Sequence, residues 1–170
     1  MLNFKERLPK IKTFLFDVDG VLTNDSVQIM PDGELVRNMN SKDRYAMQLA
    51  VKKGYRIAII TGGNSNAVKN TLNLLGIKDV FLSQHNKMSC YEDYILEHDL
   101  KEDEIVYMGD DLPDYDVMKR VGIAACPNNS AHEIKEISIY ISNRNGGEAC
   151  VRDIIEQVMR SQDTWEISGW

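Results

Sequence analysis

Apolar residues along the chain fall in short runs that alternate with stretches of helical spacing. Thr13-Phe14-Leu15-Phe16 is a compact apolar run that ends abruptly in an acid, Asp17. Similar runs at 55–60, 79–82, 104–108, 122–126 and 138–142 predict further strands. Between them, Ala46, Leu49 and Ala50 share one helical face with Lys53. Val68, Leu72 and Leu75 mark a second helix, and Met88, Tyr91 and Ile95 a third. A short helix is expected over 114–120, and Val151, Ile154, Ile155 and Val158 form a last helical stripe. The segment 26–40 reads differently, as two short strands about the turn Pro31-Asp32-Gly33. Strand–helix alternation of this kind predicts an α/β fold, a Rossmann-like parallel sheet with helices on both faces. The hairpin insertion, about 25–39, is the exception to it, and no large cap domain is expected.

Composition narrows the classes without choosing among them. The 170 residues fit a single domain over 1–170, with a C-terminal tail at about 161–170. A net charge of −6 argues against a nucleic-acid partner, which needs a basic face. No apolar run approaches a membrane span, and the start of the chain has no secretion-type apolar stretch. Cys90, Cys126 and Cys150 lie far apart without metal-type spacing, which fits reduced thiols in the cytoplasm.

Ligands in parallel sheets bind beyond the carboxyl ends of the strands. The residues expected there are Asp17 and Asp19, then Thr61-Gly62-Gly63, then Asp110-Asp111; Lys87 opens the helix after a fourth strand. Each fragment alone has a plain structural reading. A D-x-D is common in loops, glycines make turns, Asp114 can cap a helix, and a lysine usually faces water. Four strand ends delivering compatible groups to one edge point to chemistry. Crowded carboxylates need a cation, and Asp17 and Asp110 are hard oxygen ligands suited to Mg²⁺, joined by the backbone carbonyl of Asp19. Asp17 held ionised beside a metal can attack phosphorus. Asp19 can then serve as acid and base. Thr61 with the Gly62 and Gly63 amides can cradle phosphate oxygens, and Lys87 can balance the charge.

The stretches "FDVDGVLT", "IITGG", "HNK" and "GDDLPD" resemble, in order and placement, the four motifs of haloacid dehalogenase-like phosphatases. Within that superfamily "NSKDRYAMQLAVKKGYRIAIITGG", "LSQHNK" and "GGEACVRDIIEQV" are most similar to the 3-deoxy-D-manno-octulosonate 8-phosphate phosphatases. The resemblance implies Mg²⁺-dependent hydrolysis of a sugar-acid phosphate through an aspartyl-phosphate. It also implies a homotetramer and a cytosolic step in lipopolysaccharide sugar synthesis. Catalytic roles pass to Asp17, Asp19, Thr61 and Lys87, and metal binding to Asp17, Asp19 and Asp110. Substrate contacts pass to Asn40, Ser41, Lys42, Asp43, Arg44, Gln48, Gly62, Gly63 and Lys87, with Asp111 and Asp114 as supporting acids. In such relatives hairpins of four subunits join, and a neighbour's C-terminal segment covers the site. The tail "SQDTWEISGW" either does this or folds back on its own subunit.

Departures bear on the substrate. Gln48, Gly63 and Thr71 stand where the family resembled usually has arginines that would clamp a sugar-acid carboxylate. Arg44 stands where it has glycine. Lys42, Arg44 and Lys69 are the candidate replacements. Phosphatase activity on another nonulosonate or sugar phosphate is one alternative, and a non-catalytic binding or assembly module another. A response-regulator receiver domain fits less well, because receivers carry the phosphoacceptor on the third strand.

Overall fold

The structure is a computed structural model that describes residues 3–166. In chain order the elements are α1 (Phe4–Arg7), β1 (Thr13–Phe16), β2 (Gln28–Ile29), β3 (Leu35–Val36), α2 (Ser41–Lys52), β4 (Arg56–Ile60) and α3 (Asn66–Leu74). They continue as β5 (Asp79–Phe81), α4 (Lys87–Glu97), β6 (Ile105–Met108), α5 (Tyr115–Met118), β7 (Ile123–Cys126), α6 (His132–Ile137), β8 (Tyr140–Ile141) and α7 (Cys150–Ser161). Six strands form one parallel sheet in the order β5-β4-β1-β6-β7-β8, and β2 pairs antiparallel with β3 in a separate hairpin. The expected elements are present. The short helices α1 and α6 were not anticipated, although the Asn3–Glu6 capping box of α1 is a readable start signal.

Strand residues point alternately to the two faces, and two apolar cores result. Phe14, Phe16, Ile57, Ile59 and Met108 pack under α2, α3 and α7, while Leu15, Ala58, Ile60 and Tyr107 pack under α4, α5 and α6. Helix α7 is strongly amphipathic, and Val151, Ile154, Ile155 and Val158 are fully buried. Each such side chain is worth roughly 1.5–3 kcal/mol over leaving it in water. Being sealed on both faces, the sheet directs its ligand groups to its edge.

From β1 the chain moves outward through β4 and β5, then returns to place β6 on the other side of β1. The carboxyl ends of β1 and β6 therefore border the switch point, where open α/β sheets bind ligands. Asp17 follows β1 and Asp110 lies just beyond β6. The Asp17 amide donates to the Met108 carbonyl at 3.1 Å, tying the two strand ends together.

The tail, as far as Glu166, folds back on its own subunit. Trp165 lies against the Arg152 and Arg160 guanidinium groups, and Glu166 pairs with Lys53 at 2.5 Å. Trp170, the other tryptophan of the expected cover, lies outside the described residues. Among the described residues no helix is long and apolar enough to cross a membrane.

Candidate active site

Asp17 directly follows β1 and caps the next turn, its Oδ1 accepting from the Val18 amide at 2.7 Å. That turn is reversed by Gly20, whose φ of +84° belongs to the left-handed region. A Cβ there would also lie 2.0 Å from Asp110 Oδ2, so this position needs glycine for two reasons. The turn aims Asp17 and Asp19 to different places. Asp17 Oδ2 meets Lys87 Nζ at 2.7 Å, whereas the Asp19 carboxylate turns to Arg37.

Lys87, the first residue of α4, is buried and bridges two acids. Its Nζ is 2.7 Å from Asp17 and 2.7 Å from Asp114 Oδ1. Burial works against its charge, but Asp114 and Asp17 outweigh that and raise its pKa. Asp114 stands at the N-terminal boundary of α5, yet its side chain does not cap the helix. It accepts from Lys87, from the Tyr107 hydroxyl at 2.6 Å and from the Asp110 amide at 3.2 Å. Asp114 is therefore an anchor that fixes Lys87 and the Asp110 backbone. Gly109 lets it approach, since a Cβ there would come within 2.4 Å of Asp114.

Asp110 is different. No hydrogen bond or ion pair among the described residues reaches its carboxylate, although Asp17 and Asp114 oxygens lie within 4.8 Å of it. Burial, then repulsion from Asp17, Asp114 and Asp25, pushes its pKa up to about 8. Burial and Asp114 also push Asp17 up to about 7, despite Lys87. One lysine does not neutralise three carboxylates, and Asp110, without a cation of its own, opens into the cavity beside Asp17. That donor set suits a hard divalent cation, with Asp17 and Asp110 as its carboxylates. The Asp19 carboxylate lies outside this group, so a ligand role for Asp19 rests on its backbone carbonyl.

Thr61 follows β4 and is buried, its Oγ1 accepting from the Gly63 amide at 3.1 Å. With Gly62 and Gly63 it walls a cavity of about 440 Å³ whose floor is Asp17, Lys87, Asp110 and Asp114. Asp111 sits exposed on its rim.

Other expected contacts lie elsewhere in this subunit. Asn40 caps α2 through Lys42 N at 2.8 Å and donates to the Gly147 carbonyl. Ser41 and Lys42 are exposed, and Gln48 is half-buried on α2; none of them lines the catalytic cavity. Asp43 is buried and faces away, capping α7 by accepting from the Arg152 amide at 2.6 Å. Burial pushes its pKa up to about 6. Arg44 and Thr71 line a second cavity of about 300 Å³ under the hairpin. Conversely, sequence reasoning missed Arg37, Asp25, Gln84 and His85. The last two belong to the "LSQHNK" segment, and Asp25 closely follows the D-x-D turn. Arg37 gave no signal, because it follows β3 in a hairpin whose other charged residues are exposed.

The family profile described as haloacid dehalogenase-like hydrolase matches residues 78–154. A probable YrbI family phosphatase from Pseudomonas syringae superposes with a TM-score of 0.92 at 31% identity, covering 95% of this chain and 92% of its own. The chain belongs to the haloacid dehalogenase-like hydrolases, and within them it is a phosphatase. More particular relatives share a single description. The 3-deoxy-D-manno-octulosonate 8-phosphate phosphatase KdsC of Yersinia pestis is 26% identical over 95% of this chain and 86% of its own length. The corresponding enzyme of Moraxella catarrhalis, solved with magnesium, phosphate and KDO, superposes with a TM-score of 0.91 at 26% identity, covering 95% and 92%.

Proposed function

We propose that this phosphatase hydrolyses a sugar-acid phosphate, with 3-deoxy-D-manno-octulosonate 8-phosphate as the leading substrate and other nonulosonate or sugar phosphates as alternatives. The observation that carries the reading is the buried Asp17–Lys87–Asp114 bridge beside an uncompensated Asp110. It supports a fixed nucleophile and a cation site at one end of an open cavity. The substrate class is supported by the relatives' shared description.

In this reading Asp17, held in place by Lys87, attacks phosphorus as its carboxylate. The ester P–O bond breaks, and the departing alkoxide takes a proton from Asp19. Water then attacks the aspartyl-phosphate on Asp17 and gives its proton to Asp19. Phosphate leaves and both carboxyl groups return to their starting forms. Thr61 and the amides of Gly62 and Gly63 orient the phosphoryl oxygens, and Lys87 offsets their charge. Mg²⁺, held by Asp17, Asp110 and the Asp19 carbonyl, would supply positive charge to the phosphoryl group and keep the carboxylates ionised.

Among the described residues no cap domain covers the site, and the hairpin exposes Val27, Ile29, Met30, Leu35 and Val36, with Ile29 at 73%. Such a surface fits packing against equivalent hairpins in a homotetramer, which would also narrow the cavity mouth. Three free thiols fit a cytoplasmic setting.

The test is phosphate release from a panel of sugar-acid and neutral sugar phosphates, with Mg²⁺ and with chelator. Mg²⁺-dependent release that favours the eight-carbon sugar acid is expected. Failure to release phosphate from any ester would overturn the reading. Light scattering should give four subunits per particle, and fewer for Ile29→Asp.

A further inference from the structure

Arg37 lies outside every motif, yet it is the one charged residue of the hairpin that is not exposed. Its side chain is only 7% accessible, and the Asp19 side chain it meets is 39% accessible. The guanidinium faces that carboxylate as a fork. Nε donates to Oδ1 at 2.5 Å and Nη2 to Oδ2 at 3.0 Å. Nη1 donates to the Leu35 carbonyl at 3.0 Å, which ties the fork to the hairpin's own backbone. Among the described residues the other bond to the Asp19 carboxylate is a 3.4 Å contact from the Thr23 hydroxyl. Its plane is thus set by a group delivered from outside the main sheet. Two parallel bonds to one guanidinium fix orientation in a way that one bond does not.

Gly63 shows where the fork acts. A Cβ at this position would lie 3.4 Å from Thr61 Oγ1, 3.5 Å from Arg37 Nη2 and 3.6 Å from Asp19 Oδ2. Three polar groups from three segments therefore converge on the open face of one glycine, at the wall of the catalytic cavity.

We propose that Arg37 is a positioning residue for Asp19: it holds the acid–base carboxylate over the Thr61–Gly63 wall and makes that geometry depend on the hairpin. The inference rests on the reaction proposed above. When Asp19 carries a proton, one oxygen can keep a bond to the fork while the other presents its O–H to the departing oxygen. The P–O bond then breaks as that proton moves to the alkoxide. Without the fork, a carboxylate this exposed rotates into water and is aimed only part of the time.

Leaving-group chemistry separates positioning from simple binding. A sugar alkoxide needs the proton, whereas a nitrophenolate departs without it. Arg37→Met and Arg37→Lys are compared with wild type and Asp19→Asn on the sugar phosphate best turned over and on p-nitrophenyl phosphate, both with saturating Mg²⁺. The quantity read is kcat/KM, which compares free enzyme and substrate with the transition state. Arg37→Met should lose ~10–100-fold on the sugar phosphate, part of the ~10²–10⁴ that acid–base help supplies, and under ~3-fold on the aryl ester. Added to Asp19→Asn it should cost nothing further on the sugar phosphate. Arg37→Lys, which keeps the charge but not the fork, should fall between. Equal losses on both esters, or losses that multiply with Asp19→Asn, would make Arg37 a phosphate-binding or structural residue and overturn the proposal. A wild-type protein inert toward both esters would defeat the phosphatase reading itself, and this inference with it.

Discussion

Lys87 and Asp114, on the cavity floor, have side chains 4% and 1% exposed, while Ile29 on the hairpin above is 73% exposed. The floor is built from strand ends of one parallel sheet. Its anchoring charges are paired at 2.7 Å, and its backbone is tied across neighbouring strands. The hairpin has two short strands, partly exposed apolar side chains with Ile29 the most exposed of them, and, among the described residues, a single ion pair to the site, Arg37–Asp19. Such a contrast separates two roles. Phosphoryl transfer needs groups held within fractions of an ångström, which a packed sheet edge supplies. An excursion beyond the sheet can vary without disturbing that floor, and it reaches the reacting groups through Arg37 and Asp19.

The sharpest way to break this comparison is Asp17→Asn. An amide is a poor nucleophile and a poor ligand for a hard cation, so turnover should fall to background while the fold persists. Phosphate release measured beside thermal unfolding checks both halves. Residual turnover near the wild-type rate would move the chemistry off the floor.

Lys87→Met should come next, and it should cost stability as well as activity. It strands Asp17 and Asp114 without their shared cation. Breaking a buried pair in this way typically costs about 3–5 kcal/mol, though protonation of Asp17 would soften it. Denaturant unfolding of the Mg²⁺-free protein gives the number. A loss under about 1 kcal/mol would mean that the bridge is no stronger than a surface ion pair.

The two regions also differed in how legible they were. Floor residues announced their position because each follows an apolar run that has to be a buried strand. Asp17, Thr61 and Asp110 are placed at one edge by the sequence alone. Their partners were harder. Asp114 reads as a helix cap because an acid at a helix start usually is one, and only the fold brings Lys87 and Tyr107 onto it. Asp43 sits in a stretch similar to substrate-binding segments, yet tertiary packing turns it to the start of α7. Arg37 was invisible, since a charged residue in an exposed hairpin normally points to water, and its carboxylate lies across a turn and a strand. The tail was legible in part: Trp165 does pack, but against arginines of its own subunit.

Thr71→Arg probes the second cavity, beside the catalytic one, at a point where the chain departs from the family it resembles. Thr71 lines the cavity under the hairpin with Arg44 and with Arg37, whose guanidinium is already engaged by Asp19 and the Leu35 carbonyl. A charge-assisted bond is worth roughly 1.5–3 kcal/mol, so a new arginine reaching a substrate carboxylate should raise preference for a sugar acid over a neutral sugar phosphate by ~10–100-fold. The ratio of kcat/KM for the two substrates is the measurement. An unchanged ratio would show that Arg44 or another resident group already holds the carboxylate.

The smallest expected effect is a pH-dependent shift in melting temperature on removing metal, and it tests whether the floor is a cation site at all. The pKa values of Asp17 and Asp110 are raised to about 7 and about 8 in the metal-free fold, above the ordinary aspartate value. A raised carboxyl pKa means that the folded protein binds more protons than the unfolded chain between about pH 4 and these values. Stability of the metal-free protein therefore falls as pH rises through that window, because both groups must ionise against burial and each other. Mg²⁺ binds the ionised pair, so its stabilisation should be slight near pH 5 and grow toward pH 8. At a free concentration near ten times the dissociation constant the gain is about 1.4 kcal/mol. For a chain of this length that is roughly 3–6 °C in melting temperature. Asp43, also raised, to about 6, steepens the pH dependence of both forms and drops out of the difference between them. Scans with Mg²⁺ and with chelator at pH 5, 6.5 and 8 measure that difference directly. A gap that is constant with pH, or that widens toward pH 5, would place the bound cation somewhere other than between Asp17 and Asp110.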